Sequence, residues 1–372
     1  MSLSYRIMTV AVFLAALICV GRLHAATLIV GPGGYNYIQS AVTAAVTGDT
    51  ILVAAGNYFE NITVGKRLIL RAADPATPPQ VYADDIGLPA FRITANGVTI
   101  QGFRIIGRTT DAGIRLTNVT GCAVLDNHIG TPNIPKSNTG IVLENVDSTT
   151  LRGNIVENHL YDGIRLIGDA GSRYNKIFNN ACRQNDGLGI HLSVDCDGND
   201  ISGNFCEYND YGLYLFSADA NIVYFNQFDN NATANVRSMY SCNLWSSPVW
   251  IWYGYGFSLK IGHMGNYYGD HVSSDVNGDG IADTAYPIWG TDSSDSWDPP
   301  DSYPLFMPLN SYAGTVYVEG AWNLNYARSI LVLQELVIEK GAWDSLTITS
   351  GKLTIGGYQT DDLIFMPICN SP

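Results

Sequence analysis

The chain has 372 residues, of which 34 are acidic and 20 are lysine or arginine, so its formal net charge is −14 at pH 7. A surface of this sign repels phosphate backbones and no basic stripe offsets it, so nucleic acid is not expected as a partner. Seven cysteines in so long a chain are too few for a disulfide-stapled mini-fold, and a self-sufficient hydrophobic core is expected.

The first 25 residues have the pattern of a secretory leader. Arg6 supplies a positive end, residues 7–20 are apolar, and a small-residue cleavage site precedes Ala26. The apolar run is short for a bilayer span, and no later segment approaches its length. The sequence therefore predicts a signal peptide over residues 1–25 and a mature chain without a transmembrane segment. Such a chain works in the periplasm, at the cell surface or outside the cell.

A short amphipathic helix is predicted over residues 37–46. Ile38, Ala41, Val42 and Ala45 recur there at helical spacing. A helix at this position would cover the open end of the β-structure that follows, and would prevent edge-to-edge aggregation.

A glycine followed by an alternating apolar pattern then recurs in five copies. The intervals between successive glycines are 27, 23, 26 and 23 residues. Two-residue alternation indicates strands with one buried face, and a repeat of about two dozen residues fits one coil of three short strands. Coils of this kind stack into a solenoid because none can bury its apolar face alone. The copies begin at Gly113, Gly140, Gly163, Gly189 and Gly212.

Stacking places equivalent residues in columns that rise by about 4.8 Å per coil. Two interior columns are predicted, and an in-phase asparagine predicts a ladder of amides at one turn, because asparagine tolerates left-handed backbone. The columns are Ile114, Ile141, Ile164, Ile190 and Leu213; Leu116, Leu143, Leu166, Leu192 and Leu215; and Asn127, Asn154, Asn180, Asn204 and Asn226. Cys182 and Cys206 are predicted to point inward on adjacent coils, as stacked thiols or as a disulfide.

The predicted fold class is all-β, a right-handed parallel β-helix over residues 26–308 with an amino-terminal capping helix. Residues 309–372 return to alternation and are expected to form a small β segment or a few further coils.

Outward positions between the interior columns form a strip across the coils. Its predicted members are Arg115, Val142, Arg165, His191 and Tyr214, with Asp162 and Asp186 on nearby turns. Such a strip is either a solvated face or an extended glycan site that uses aromatic stacking and charged hydrogen bonds, with Arg115, Arg165, His191 and Tyr214 as the binding residues. It could alternatively carry a base for uronate β-elimination or paired acids for glycoside hydrolysis, which leaves open whether the chain is an enzyme.

An aspartate-rich segment, residues 270–303, contains a predicted calcium loop. Oxygen donors alternate through a sharp glycine turn, as a hard cation requires. Asp270, Asp292 or Asp295 would have to complete the ligand shell, because Tyr286 stands where an EF-hand loop has glutamate. The predicted ligands are Asp275, Asn277, Asp279, the carbonyl of Ile281, and Asp283, and the expected role of calcium is structural.

Three regions carry a resemblance to known proteins. Residues 37–61 resemble the opening of secreted β-helix proteins, and the central repeats resemble those of the pectin-lyase-like carbohydrate-binding and sugar-hydrolase superfamily. The tail motifs are Asn-Leu-Trp-Ser-Ser-Pro at 243–248, Gly-Asn-Tyr-Tyr-Gly-Asp at 265–270, the loop at 275–283, Tyr-Pro-Ile at 286–288 and Asp-Ser-Tyr-Pro-Leu at 301–305. This succession resembles NosD-like β-helix proteins over residues 27–308.

The resemblance implies architecture more firmly than activity. NosD-like proteins take their name from a periplasmic copper accessory protein of nitrous oxide reductase maturation, so copper delivery is an alternative function, with His263, Met264 and His271 as nearby donors. The expected function is binding or scaffolding outside the cytoplasm, with an extracellular or cell-wall polysaccharide as the leading partner. The alternative enzyme is a polysaccharide lyase, epimerase or hydrolase.

Overall fold

The computed structural model describes residues 25–106, 109–131, 136–256, 258–288 and 298–312, together with five short strands between residues 316 and 360. The predicted signal peptide lies outside this range except for its last residue. Between residues 27 and 268 the described chain winds through three parallel sheets, named A, B and C below.

Each coil visits the three sheets in the same order, as in Thr99–Gln101 of sheet A, Arg104–Ile106 of sheet B and Ala112–Thr117 of sheet C. Neighbours within each sheet are parallel strands from successive coils, which is the predicted right-handed parallel β-helix. Sheet A contains Thr27–Val30, Thr50–Val53, Ile69–Ala72, Thr99–Gln101, Ala123–Leu125, Thr150–Arg152, Lys176–Phe178, Asp200–Ser202 and Ile222–Tyr224. Sheet B contains Asn57–Phe59, Gln80–Tyr82, Arg104–Ile106, His128–Ile129, Ile155–Glu157, Ala181–Arg183, Phe205–Glu207, Gln227–Asp229 and Tyr267–Tyr268. Sheet C contains Ile62–Val64, Phe91–Ile93, Ala112–Thr117, Thr139–Glu144, Ile164–Ile167, Leu188–Leu192, Tyr211–Phe216 and Ala234–Met239.

Strand register confirms the two interior columns. Ile114 pairs with Ile141, Ile141 with Ile164, and Ile164 with Ile190, and all four side chains are fully buried. The leucine column stacks in the same register two residues further along each strand of sheet C. Identical apolar side chains therefore line one continuous core along the axis of the solenoid.

The recurring glycine marks the closest approach between coils. A Cβ atom at Gly189 would lie 2.6 Å from the carbonyl oxygen of Gly212 and 2.9 Å from Nδ2 of Asn209. The contact at Gly163 is equivalent, at 2.7 Å from the carbonyl oxygen of Gly189. Glycine is needed at this position of the repeat because backbone oxygen atoms of the next coil cannot move aside.

Asparagine side chains form three ladders, one at each corner between sheets. In each ladder Nδ2 donates to Oδ1 of the asparagine in the next coil, over 2.9–3.2 Å. The predicted ladder, between sheets A and B, is confirmed and extends to Asn266; the sequence predicts only this one. The ladders are Asn127, Asn154, Asn180, Asn204, Asn226 and Asn266 (A to B); Asn185, Asn209 and Asn231 (B to C); and Asn175, Asn199, Asn221 and Asn243 (C to A).

Each ladder ends on an aspartate that follows the last coil. In each ladder the backbone N–H and one Nδ2–H of an asparagine both donate to Oδ1 of the next coil, so the last asparagine needs an acceptor, and a carboxylate provides a strong one. The terminal contacts are from the backbone N–H of Asn266 to Asp301 (2.8 Å), from the backbone N–H of Asn243 to Asp298, and from Nδ2 of Asn231 through Asn235 to Asp270.

The predicted capping helix is confirmed as Ile38–Ala44, and it packs over the first coils. Glu60 accepts the backbone N–H groups of Ile38 and Gln39 at 2.8 and 2.9 Å, which satisfies two free donors at the helix start. Lys66 donates to three carbonyl groups at the helix end. The amide of Gln39 pairs with both backbone groups of Thr63, so a side chain takes the place of a missing strand partner at the edge of sheet C.

The carboxyl-terminal end of the solenoid is closed by an antiparallel hairpin, Ile251–Tyr255 with Ser258–Gly262, and by residues 270–288 and 298–303 of the aspartate-rich segment. A second buried cluster holds them together, formed by Phe225, Tyr253, Met264, Leu305, Leu309 and Tyr312. A 3-10 helix follows at Leu309–Ser311. The later strands pair antiparallel, which fits a β module and not further coils; they are Val316–Val318 with Leu336–Ile338, and Leu346–Thr349 with Lys352–Ile355 and Tyr358–Thr360.

Cys182 and Cys206 are register partners in sheet B, and both are fully buried. They form no disulfide, so the prediction of stacked thiols is the one that holds. Burial raises the pKa of the Cys206 thiol well above its usual value, so it is held in the inert protonated form. In the part of the chain that the structure describes, no helix combines the length and the hydrophobicity that a bilayer span requires.

Candidate functional site

The predicted outward strip of sheet C exists, but it is interrupted. Arg115, Val142, Arg165, His191 and Tyr214 occupy one register position in five successive coils. Val142 is only 3% exposed, so it does not belong to the accessible surface. The strip is therefore divided into a lower part around Arg115 and an upper part that begins at Arg165.

The lower part is already neutralised by its neighbours. Nε of Arg115 donates to Asp111 at 2.8 Å, and Nη1 donates to Glu144 at 3.0 Å. With two carboxylates on one guanidinium, no charge is left over for an external ligand. The prediction that Arg115 binds a ligand is therefore not supported by its position.

In the upper part, Asp162 holds His191 in a fixed orientation. Asp162 comes from the turn before its sheet C strand, and its side chain is only 8% exposed. Its carboxylate accepts the backbone N–H of Leu188 at 3.3 Å and lies 3.0 Å from Nδ1 of His191. We assign the Nδ1–H tautomer from this contact, because the carboxylate needs a donor there. In this tautomer Nε2 is an acceptor, and it lies 3.4 Å from the hydroxyl of Ser193.

Two tyrosines and an arginine continue the upper part. The Tyr214 ring lies 5.5 Å from the His191 ring and 5.9 Å from the Tyr211 ring. The guanidinium carbon of Arg237 lies over both tyrosine rings, at 5.6 Å from Tyr214 and 5.8 Å from Tyr211. Nη1 of Arg237 also donates to the Tyr211 hydroxyl over 3.1 Å. The result is a continuous row of imidazole, phenol and guanidinium groups on one face.

Sequence reasoning missed Tyr211 and Arg237. Tyr211 precedes the repeat glycine, in a position filled by other residue types in the other copies. Arg237 belongs to the strand Ala234–Met239, which pairs in register with the previous coil although it lacks the glycine and the leucine of the repeat. The signal that could have found Arg237 is the interval of 23 residues from Tyr214, which equals the repeat interval.

Arg165 belongs to the upper part of the strip, whereas Asp186 does not. Nε of Arg165 lies 3.6 Å from Asp162, so Arg165 and His191 share one carboxylate. Asp186 forms an ion pair with Lys136 at the corner between sheets B and C. We therefore define the upper strip as Arg165, His191, Tyr211, Tyr214 and Arg237, with Asp162 beneath it.

The side-chain oxygens of the predicted calcium loop accept hydrogen bonds from backbone N–H groups of the same loop. Both Asp275 and Asn277 accept the backbone N–H of Asp279, at 3.0 and 2.9 Å. Asp279 in turn accepts the N–H of Ile281 at 2.8 Å. Two donors of the predicted set are thus brought to one point. Among the described residues, however, no three carboxylate, imidazole or thiol groups converge as a metal site would require.

The other residues considered as calcium ligands have different hydrogen-bond partners. Asp283 closes the loop by accepting a backbone N–H from its opposite side over 3.0 Å. Asp270 instead binds Asn235 at the end of a ladder. Asp292 and Asp295 lie outside the described residues. Occupation by calcium would therefore require the carboxylates to turn from backbone N–H groups to the ion.

The residues considered for copper do not meet. Nδ1 of His263 lies 2.6 Å from the carbonyl oxygen of Ser247, and Nε2 of His271 lies 2.9 Å from that of Thr284. Met264 is fully buried in the second cluster of the core. The imidazole and thioether donors thus face different neighbours, and these residues do not fit a copper centre.

Comparisons with known proteins give short or distant likenesses. A cell surface glycoprotein of Methanothermus fervidus is 39% identical over 97 residues, which are 26% of this chain and 16% of that protein. This chain therefore spans only a small part of that relative. Among solved structures, pectate lyase Pel9A matches with a TM-score of 0.44 and 15% identity, over 63% of this chain and 72% of that one. An alginate lyase from Paenibacillus matches with a TM-score of 0.41 and 15% identity, over 59% and 87%. Neither structural likeness bears on activity.

A family match covers far more of the chain. The family described as periplasmic copper-binding protein (NosD) matches residues 42–273, which include sheet C and the upper strip. This match extends over more than half of the sequence, and the chain belongs to the NosD family.

Proposed function

We propose that this protein is exported and binds a polysaccharide along the upper strip of sheet C. The observation that carries the proposal is the row of His191, Tyr214 and Arg237, in register on three successive coils. A periplasmic family and a cell-surface relative support a location where polysaccharides are found.

The chemistry of the upper strip suits sugars. Tyrosine rings offer apolar faces for the C–H groups of a sugar ring, and their hydroxyls offer hydrogen bonds at the edge. A fixed imidazole adds a hydrogen-bond acceptor on one side of Tyr214, and a guanidinium adds charged donors on the other. The strands advance by about 4.8 Å per coil, so a linear polymer can lie across several coils at once. A solenoid face provides this extended surface without any deep pocket.

The test is binding by variants of the upper strip. A glycan array identifies the ligand, and calorimetry then compares wild type with Tyr214→Ala and His191→Ala. We expect Tyr214→Ala to weaken binding about tenfold, the equivalent of about 1.4 kcal/mol, because the central stacking surface is lost. The control is Arg92→Ala, an exposed position in the same column two coils before Val142. An array without any ligand, or a ligand that ignores both substitutions, contradicts the proposal.

The Asp162–His191 pair favours a second candidate, catalysis on the bound polymer. A carboxylate that fixes Nδ1–H leaves Nε2 as a general base, and a base beside an acidic sugar supports β-elimination or epimerisation of a uronate. Incubation with a panel of uronate and neutral polysaccharides separates this candidate from simple binding. Chain cleavage or an unsaturated product that disappears in His191→Ala supports an enzyme, and unchanged polymers support a binding protein.

Calcium is the cation that we propose for the loop at residues 275–283, in a structural role at the end of the solenoid. The support is the pair of oxygens from Asp275 and Asn277 at one backbone N–H, in a loop whose donors are all oxygen. The copper alternative has no comparable support, because its donors face different neighbours.

Calcium binding should raise the melting temperature of the chelator-treated protein by about 5 °C at saturating concentration, since a ligand that binds only the folded state stabilises it. Asp275→Asn should abolish the increase, and Asp169→Asn, which alters an exposed carboxylate elsewhere, should retain it. Scanning calorimetry measures both. A melting temperature that does not respond to calcium in wild type rules the site out.

A further inference from the structure

Arg237 differs from Arg115 and Arg165 in having no carboxylate partner. Arg115 is paired with Asp111 and Glu144, and Arg165 lies beside Asp162. No carboxylate among the described residues pairs with Arg237.

The surroundings of Arg237 hold its guanidinium in place without neutralising it. Two tyrosine rings lie beneath it, and Nη1 is occupied by the Tyr211 hydroxyl. Nε is buried and has no hydrogen-bond partner, so an external ligand does not reach it. Nη2 has no hydrogen-bond partner among the described residues, and it is the nitrogen left for a carboxylate, which binds a guanidinium through a charge-assisted hydrogen bond.

We propose that Arg237 is a carboxylate-binding subsite, and that the polysaccharide bound by the upper strip is an acidic one, built from uronate sugars. The sugar ring packs along the outer edges of Tyr214 and Tyr211, its carboxylate binds Nη2 of Arg237, and its other edge faces His191. This inference rests on the proposed function, since it names the class of polysaccharide that the strip selects.

The net charge of the protein narrows the class further. A surface with a charge of −14 repels a polymer that carries several negative charges on each sugar, and one unpaired arginine cannot offset that repulsion. The strip therefore favours polymers with one carboxylate per sugar, such as a polyuronate, over densely sulfated ones. Added salt screens both the local attraction and the general repulsion, so binding should depend only weakly on ionic strength.

The experiment compares one polyuronate with its fully methyl-esterified form, which keeps the shape and removes the charge. Calorimetry on the full-length mature protein should show at least tenfold tighter binding of the acid form. Arg237→Gln should bind both forms equally, and Arg237→Lys should keep part of the preference because it keeps the charge but loses the planar guanidinium that lies over the two tyrosine rings. Arg92→Gln is the matched control and should behave as wild type. Melting curves confirm that each variant is folded.

The outcomes separate this inference from the proposed function. If wild type binds both forms equally, or if Arg237→Gln retains the preference for the acid form, the carboxylate subsite is wrong while glycan binding stands. If wild type binds neither these polymers nor any glycan on an array, both proposals fail. Tighter binding of a densely sulfated polymer than of the polyuronate would also overturn the assignment of the ligand class.

Discussion

Replacing Asn204 with alanine is expected to lower the free energy of unfolding by about 4 kcal/mol. Asn204 sits in the middle of the ladder between sheets A and B, where its Oδ1 accepts both the backbone N–H and the side-chain N–H of Asn180. Its Nδ2 donates to the carbonyl of Ile177 and to Asn226. Alanine leaves several buried groups without partners, each at about 1–3 kcal/mol, and water cannot reach them.

Urea unfolding followed by circular dichroism measures the effect. Asn57→Ala is the matched control, since Asn57 is exposed on a strand of sheet B, and it should change the free energy of unfolding by less than about 0.5 kcal/mol. A loss below about 1 kcal/mol for Asn204→Ala would mean that the ladder is a consequence of the fold and not one of its supports.

The second large effect concerns Asp301, the acceptor at the end of the same ladder. Asp301 is fully buried, and burial raises its pKa from 3.8 to about 7. Because the folded pKa lies above the unfolded one, the folded state holds the proton more tightly. The stability from this group is therefore fully present below about pH 4 and is lost as pH rises through 7. A shift of this size corresponds to a loss on the order of 4 kcal/mol.

Asp301→Asn should remove this pH dependence. The substitution also changes the free energy of unfolding by an amount that does not depend on pH. The two carboxylate oxygens of Asp301 accept the backbone N–H groups of Tyr303 and Asn266, and the amide has only one acceptor oxygen. The difference in unfolding free energy between wild type and Asp301→Asn should therefore change steadily between pH 4 and pH 8, in favour of the variant at high pH. A difference that does not vary with pH would show that Asp301 stays ionised throughout.

His159 also makes the stability depend on pH, but with the opposite sign. It is fully buried, and burial lowers its pKa from 6.5 to about 4, the opposite direction from Asp301. Its contribution is present above about pH 6.5 and is lost as pH falls toward 4. The comparison of wild type with Asp301→Asn cancels this contribution, because His159 is unchanged in both proteins.

The interior of the solenoid was predictable because it repeats. Ile114, Ile141, Ile164 and Ile190 stack as predicted, since a two-residue alternation allows one inward face and the repeat fixes its phase. The capping helix followed from apolar spacing alone. Only one ladder was predicted, although the asparagines of the other corners also recur at coil intervals, as at Asn199 and Asn221.

The upper strip was only partly predictable, because its chemistry depends on which groups are already paired. Arg115 and Arg165 have equivalent positions in the repeat, yet Arg115 is enclosed by two carboxylates and Arg165 shares one with His191. Val142 is outward in register but covered. Burial and pairing of this kind involve residues far apart in the chain, and a pattern along the sequence does not contain them. The same holds for the spatial separation of His263 and His271.

Because the ladders are regular, the solenoid can be lengthened by whole coils. Residues 204–225 hold one asparagine for each corner, at Asn204, Asn209 and Asn221, and one strand for sheets A, B and C. A tandem duplication of residues 204–225 would add one coil and one asparagine to each ladder. Every ladder asparagine would then still have an asparagine as its partner in the next coil. Genetic change can thus lengthen the outer face of the solenoid without any change to its core.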